Sequence, residues 1–527
     1  MPVHPWLLAL LTPLTILAQN GLEIAPRQSA RGLVFELLLA SLLWLTWRWW
    51  TREWRLSGLL TSAALLVFQA YGRFYAGSGH SLLQTLPILE PLVGNHLLLL
   101  PLALATLAFI FLAVVRLRRY TTGMTHLLNA AGLALCLVSL GTIGLFEWRL
   151  AQPPGGSVGL PDQSDLADSD GAAPDIYYIV LDGYGRSDVL TEFYQHDNGP
   201  FIDKLERDGF TVIESARSNY MQTGLSLAST LNLDYLQSFV DPEDPADSGQ
   251  VRLSVQRWLR HNRLADELEQ LGYQLVTFEN GYRPTELAGA EMHGPASAET
   301  NLLERLLIEN SGLTLLQPIS WMPGAIRHPG YDLHRTRIDY VFSSLQAGLP
   351  GSQGPRFVFV HLLVPHPPFV FNDSGEPILP PYPYVLLDGS AYPGDSAHYV
   401  SLYRAQLEYV NQRLAEMLDA MVGRQDRQAL IILQGDHGPG SELDWSSLEA
   451  TEPRERFGIL LAVRPPDGNA LADIKFSSPV NLFRWVLTSL FGADLPALPD
   501  RSYYSTWDEP HIFQQVDDDQ LAPAGLQ

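Results

Sequence analysis

Two stretches of this chain, Leu97–Val115 and Leu127–Phe146, are apolar over the length that a lipid bilayer requires. A hydrocarbon core about 30 Å thick takes about 20 residues of α-helix to cross. Inside it, a single segment can satisfy its backbone N–H and C=O groups only by being helical. Three shorter apolar segments, Trp6–Ala18, Leu33–Trp47 and Leu56–Tyr71, come before these two. Residues 1–150 therefore read as an α-helical transmembrane domain of about five helices. Ser81–Glu90 is too short to cross and is expected to lie in the interface. Trp44, Trp47, Trp49, Trp50 and Trp54 crowd one boundary, as an aromatic belt does. Glu36 is read as lying near the end of its span rather than as a functional carboxylate.

Arginine placement orients these segments. Arg48, Arg52 and Arg55 share the second loop, and Arg116, Arg118 and Arg119 share the fourth; the first holds Arg27 and Arg31, and the third only Arg73. Loops rich in arginine stay in the cytoplasm, so everything after the fifth segment is expected to be extracytoplasmic.

Beyond residue 150 the character changes. Residues 151–173 are rich in Pro, Gly, Ser and Asp without apolar period, and read as a flexible tether. Residues 174–506 form the main domain, and 507–527 an acidic C-terminal tail. From residue 151 onward, 24 basic residues face 52 acidic ones, a net charge of −28. Such a surface repels nucleic acid, and an anionic substrate needs a metal or a local arginine to overcome it. The single cysteine, Cys136, excludes any intrachain disulfide.

The main domain repeats one device: an apolar, β-favouring run that ends in ligand-type side chains beside glycine or proline. Ala429–Gly435 delivers Asp436-His437 into Gly438-Pro439-Gly440. Asp175–Leu181 delivers Asp182 into Gly183. Arg356–Val364 carries His361 within the run and His366 just beyond it, among prolines. Helical patterns at Pro200–Arg207, Val255–Leu271, Ser401–Val422 and Pro479–Phe491 alternate with strands that include Phe210–Glu214, Gln274–Phe278 and Phe457–Val463. That alternation predicts an α/β fold, a mostly parallel central sheet covered by helices. In such sheets the crevice lies outside the carboxyl ends of the strands. An Asp-His pair there offers a hard oxygen and a borderline nitrogen to a divalent cation. Leu225, Leu227, Ala228 and Leu231 suit a helix starting near Thr223, which sets that hydroxyl beside free backbone N–H groups at the positive end of the dipole. Ser226 and Ser229 lie further along, where hydroxyls bond backbone carbonyls.

Taken in order, these residues resemble the sulfatase-like branch of the alkaline phosphatase superfamily, over roughly residues 174–506. The resemblance implies a metal held by Asp182, Thr223, Asp436 and His437, with Thr223 as nucleophile and His366 and His361 toward the substrate. Membrane segments ahead of such a domain look like lipoteichoic acid synthases and lipid A phosphoethanolamine transferases, whose Thr-x-x-Ser matches Thr223-Gly-Leu-Ser226. Those transferases place Glu where this chain has Asp182, and the second group carries disulfides that are impossible here. No Cys/Ser-x-Pro-x-Arg motif follows the first strand, which argues against sulfate-ester hydrolysis through formylglycine.

The implied function is transfer of a phospho-headgroup from a phospholipid to a cell-envelope acceptor, with Mn²⁺, Mg²⁺ or Zn²⁺ as cofactor and membrane lipid beside the site. The alternatives are a phosphodiester or phosphomonoester hydrolase, or a non-catalytic envelope protein that kept the fold. The topology is directly testable. A reporter fused after residue 150 should act as extracytoplasmic, because both three-arginine loops would otherwise face the wrong side; cytoplasmic activity at that junction would overturn the orientation.

Overall fold

A computed structural model of the chain describes residues 1–76, 94–153, 173–239, 248–295, 299–351, 354–424, 428–466 and 473–523. The Ser81–Glu90 segment and most of the tether lie outside these. The chain divides into two units, Met1–Ala151 with Ala298–Leu333, and Gln152–Ser297 with His334–Gln527.

The first unit contains the apolar segments as five helices: α1 (His4–Gln19), α2 (Ala30–Thr51), α3 (Trp54–Tyr75), α4 (His96–Arg116) and α5 (Thr121–Leu150). Three helical stretches among the described residues, Pro26–Thr51, His96–Arg116 and Arg118–Leu150, are long and apolar enough to cross a membrane. Leu38, Leu42, Leu97, Phe109, Leu112 and Val138 point outward and are exposed, a surface suited to hydrocarbon rather than water. Glu36 is buried, and its Oε2 accepts from Gln69 Nε2 at 3.0 Å.

A distant part of the chain completes this unit. A helix over Leu302–Asn310 places Leu303 and Leu307 in one cluster with Ile16, Leu17 and Ile24. It begins with a capping box between Asn301 and Glu304, and Glu304 also receives both ends of the Arg31 fork at 2.7 and 2.8 Å. The amphipathic face explains the placement: two leucines one turn apart need an apolar partner, and the helical bundle supplies it.

The second unit is built on a seven-stranded sheet. Its strands are β1 (Asp175–Leu181), β2 (Thr211–Val212), β3 (Gln274–Phe278), β4 (Glu291–His293), β5 (Arg356–Leu362), β6 (Ala429–Gly435) and β7 (Leu461–Arg464). Their order is β2-β7-β6-β1-β5-β3-β4. The pairs β6–β1, β1–β5, β5–β3 and β3–β4 are parallel, whereas β7 and β2 join antiparallel at one edge. β1 and β5 are buried almost throughout, as a sheet covered on both faces demands. Tyr178 packs between Phe359 and Phe483 on one face. Leu181 pairs with both Leu362 and Gly435, which brings Asp182, Leu363 and Asp436 level at the carboxyl edge. Val516 and Leu521, within the stretch read as an acidic tail, are buried beside Phe457 and Tyr504.

Two local expectations fail. Val255–Leu271 is not one helix but two, α7 (Ser248–Arg260) and Arg263–Gln270, because the Asn262 side chain accepts from Ala265 N and caps a fresh start. Phe457–Val463 is not a single strand: Pro453 opens a short helix that runs through Phe457, Gly458 and Ile459 form isolated bridges, and the continuous strand begins at Leu461. Asn262→Ala should lower the stability of the protein by about 1 kcal/mol, the usual cost of a lost N-cap, without altering bound metal. Thermal unfolding in detergent, together with metal analysis, checks both.

Candidate metal centre and active site

The helix α6 (Thr223–Asn232) starts beside the carboxyl edge of the sheet. Its N-cap residue, Gln222, makes no side-chain cap; its amide donates instead to Ser505 O and Oγ and to Thr506 O. The first-turn N–H groups are thus left for a ligand. The Thr223 hydroxyl lies 3.1 Å from His437 Nε2. The other two hydroxyls of that face are engaged elsewhere. Ser226 Oγ lies 2.7 Å from Asp436 O, and Ser229 Oγ donates to Asp234 O at 2.7 Å.

Strand ends bring the remaining residues to the same point. His437 Nε2 lies 3.5 Å from Asp182 Oδ1 and 3.4 Å from Asp436 Oδ2. His361 Nε2 lies 3.3 Å from Asp182 Oδ2. Two overlapping groups, Asp182–His366–His437 and Asp182–His361–Asp436, each place their ligand atoms within 4.8 Å of one another. All six residues singled out in the sequence therefore converge here.

Hydrogen bonds decide which atom each residue presents. Asp436 Oδ1 accepts from Gly183 N at 3.0 Å, leaving Oδ2 directed inward. His437 Nδ1 donates to Gly438 O at 2.9 Å, so Nε2 faces Thr223 as a lone pair. His366 Nδ1 likewise donates to Pro367 O at 2.6 Å. His361 differs. Asn280 Oδ1 accepts from Tyr282 N, which turns the Asn280 amide N–H toward His361 Nδ1 at 3.1 Å. In the neutral ring that leaves the proton on Nε2, aimed at Asp182. His361 thus orients the first carboxylate, as outer partners of metal ligands do.

Two residues escaped the sequence reading. Asp388 is buried, with Oδ2 3.6 Å from His366 Nε2 and accepting from Arg456 Nη1 at 2.6 Å. Arg456, also buried, donates further to Gly438 O and to Met221 O. No local signal marks either one: Asp388-Gly389 reads as a turn and Glu455-Arg456 as a solvated charge pair.

The donor set fits a divalent ion. Asp182 Oδ1 and Asp436 Oδ2 are buried and have no hydrogen-bond partner among the described residues, an arrangement that costs free energy unless a cation fills it. Burial alone would raise the Asp182 pKa; His366, then His361 and His437, outweigh it and hold the carboxyl well below its ordinary range. Burial would likewise lower the His366 pKa, but Asp182 and Asp388 overcome this and raise it to about 9. Asp388 stays far below the usual carboxylate range because Arg456 and His366 outweigh its burial.

A mostly parallel α/β sheet gathers a hydroxyl, two carboxylates and three histidines at its carboxyl edge, a donor set that could hold a cation. The sulfatase family profile matches residues 174–492, and the chain belongs to that family, within the alkaline phosphatase superfamily. Among solved structures, the periplasmic domain of EptC from Escherichia coli in complex with Zn is 13% identical, with a TM-score of 0.41 over 68% of this chain and 96% of that one. The integral membrane lipooligosaccharide phosphoethanolamine transferase EptA from Neisseria meningitidis is 12% identical, with a TM-score of 0.41 over 93% and 95%. The phosphonate monoester hydrolase of Agrobacterium radiobacter is 17% identical, with a TM-score of 0.40 over 63% and 80%. No curated protein sequence matches the chain.

If Asp436 and His437 hold the ion, Asp436→Asn and His437→Ala should each remove metal and reduce turnover by orders of magnitude while the sheet stays folded. Elemental analysis beside circular dichroism tests this, and full metal content in either variant would move the site elsewhere.

Proposed function

We propose that the protein is a membrane-anchored, metal-dependent transferase that moves a phospho-headgroup from a phospholipid donor to a cell-envelope acceptor through Thr223. The reading rests chiefly on the Thr223 hydroxyl, placed at an uncapped helix N-terminus and 3.1 Å from His437 Nε2 within a cluster of buried ligand atoms. The apolar helices of the first unit support a lipid donor and a multi-pass anchor. The arginine-rich loops support a catalytic unit outside the cytoplasm.

Asp182, Thr223, Asp436 and His437 would hold the cation. When bound, it supplies charge neutralisation for the phosphoryl oxygens and lowers the pKa of the hydroxyl beside it. Phosphoryl transfer otherwise demands positioning above all. The free N–H groups of α6 receive phosphoryl oxygens, and His366 directs Nε2 at the same space. Thr223 Oγ1 attacks phosphorus in line, its proton released to solvent because the one lone pair of His437 would be committed to the cation, and the bond from phosphorus to the lipid alcohol breaks. His366 supplies the proton that the leaving oxygen takes up. An acceptor hydroxyl then displaces the headgroup from Thr223 and regenerates the enzyme.

Thr223→Ala should be folded and inactive, with a loss of several orders of magnitude, because nucleophile removal far exceeds the cost of a helix-terminal hydroxyl. Thr223→Ser should keep part of the activity, and Ser226→Ala should remain active. Peptide mapping of protein quenched during turnover of labelled phospholipid should find the phospho-adduct on Thr223. Near-normal activity of Thr223→Ala would refute the assignment. Headgroup released at full rate without any acceptor would make the enzyme a hydrolase instead.

A further inference from the structure

The geometry points to a second anion-binding position at the mouth of this site, formed by Arg252 of α7 on the face of Trp507, which takes a carboxylate or phosphate of the substrate beyond the reacting phosphoryl group. The inference rests on the reading of the Thr223 centre as the place where that phosphoryl group binds.

One direct contact and the neighbours it leads to locate Arg252. Its guanidinium lies over the Trp507 ring, 3.7 Å from the centroid, and donates through Nη2 to Trp507 O at 2.6 Å. Trp507 directly follows Ser505 and Thr506, the residues that hold the Gln222 side chain just ahead of Thr223. On a second side, Tyr282 bears on the Arg252 charge, and its ring packs edge-on against His361, which faces Asp182. On the third, Trp445 meets Trp507 edge to face at 5.2 Å and donates through Nε1 to Asp388 O, behind His366. Along α7, Val255 is one turn from Arg252 and would touch a Cβ added at Gly224, the residue after Thr223. Arg252 is thus linked through intervening residues to the surroundings of Thr223, Asp182 and Asp388.

Its chemistry suits an anion. A guanidinium stacked on an indole loses little freedom when it binds and presents its edge N–H groups as a fixed fork. Of its five donors, only the one to Trp507 O has an acceptor among the described residues. Asp508, a carboxylate that bears on its charge, is exposed. In a unit so strongly acidic, a half-buried cation at the mouth is what a substrate with a second negative charge needs to approach. Half of the Trp507 surface is open to solvent, which leaves the stacked pair reachable.

The test uses two soluble deacylated lipids that differ by one carboxylate, glycerophosphoserine and glycerophosphoethanolamine. They are titrated into the full-length, metal-loaded protein in detergent and read by calorimetry and tryptophan fluorescence. Wild type should bind the serine compound about tenfold more tightly, the scale of one charge-assisted hydrogen bond. Arg252→Gln should abolish that preference while leaving the ethanolamine compound bound as before, and Arg252→Lys should retain part of it. A guanidinium kept only to cover Trp507 would give variants that melt earlier with the preference intact, and that result would overturn the proposal. Equal binding of both compounds by wild type would also overturn it, with the Thr223 centre untouched. Binding of neither would overturn this position and the centre together.

Discussion

One buried guanidinium connects the parts of this site that lie furthest apart in sequence. Arg456 donates to Met221 O two residues before Thr223, to Gly438 O immediately after His437, and to Asp388 Oδ2 opposite His366. A charge so far from water is costly unless its partners are fixed in place, and here every partner is a loop that carries or faces one of the clustered side chains. The guanidinium is planar and forked, so it sets the spacing of all three at once, which an ammonium could not do. Gly438 is part of the same arrangement: a Cβ there would collide with the Glu455 carbonyl, so the loop can approach the Arg456 backbone only with glycine. The 2.7 Å bond from Gly438 N to Arg456 O depends on that approach.

Around this anchor, orientation is set from outside the cluster. Backbone carbonyls take the Nδ1 protons of His437 and His366, and Asn280 supplies a proton to His361. The three imidazoles therefore differ in what they present: a lone pair from His437, the N–H of a ring kept protonated by Asp182 and Asp388 from His366, and an N–H toward Asp182 from His361. Asp182 and Asp436 sit among them without spending their inner oxygens on protein donors. Such a cluster is unstable as a set of bare groups and becomes stable with a cation and an anionic ligand present. The site is thereby prepared for charge to be brought in.

The chain order hides part of the architecture. The helix over Leu302–Asn310 comes between two strands of the catalytic sheet, yet its leucines belong to the core of the first unit. Nothing in its local pattern distinguishes a helix meant for a sheet from one meant for a helical bundle. The region reads as broken by proline and glycine until its partners Ile16, Leu17 and Ile24 are seen.

The features legible in the sequence are those that depend on local chemistry. Runs of apolar residues imposed helices within the first 150 positions, strands ended at Asp182 and Asp436 because glycine follows the first and precedes the second, and the hydroxyl of Thr223 came at a helix start. These features repeat within a few residues, so period and punctuation expose them. The tertiary structure alone decided which side chains meet across long separations: Asp388 with Arg456, Asn280 with His361, and Arg252 with Trp507. It also decided where Val255–Leu271 divides, since an asparagine's capping role depends on which carbonyl or N–H the packing leaves unsatisfied. Contacts of that kind leave no local trace, because their stabilisation arises only when the sheet has set the distance between loops that the chain keeps far apart.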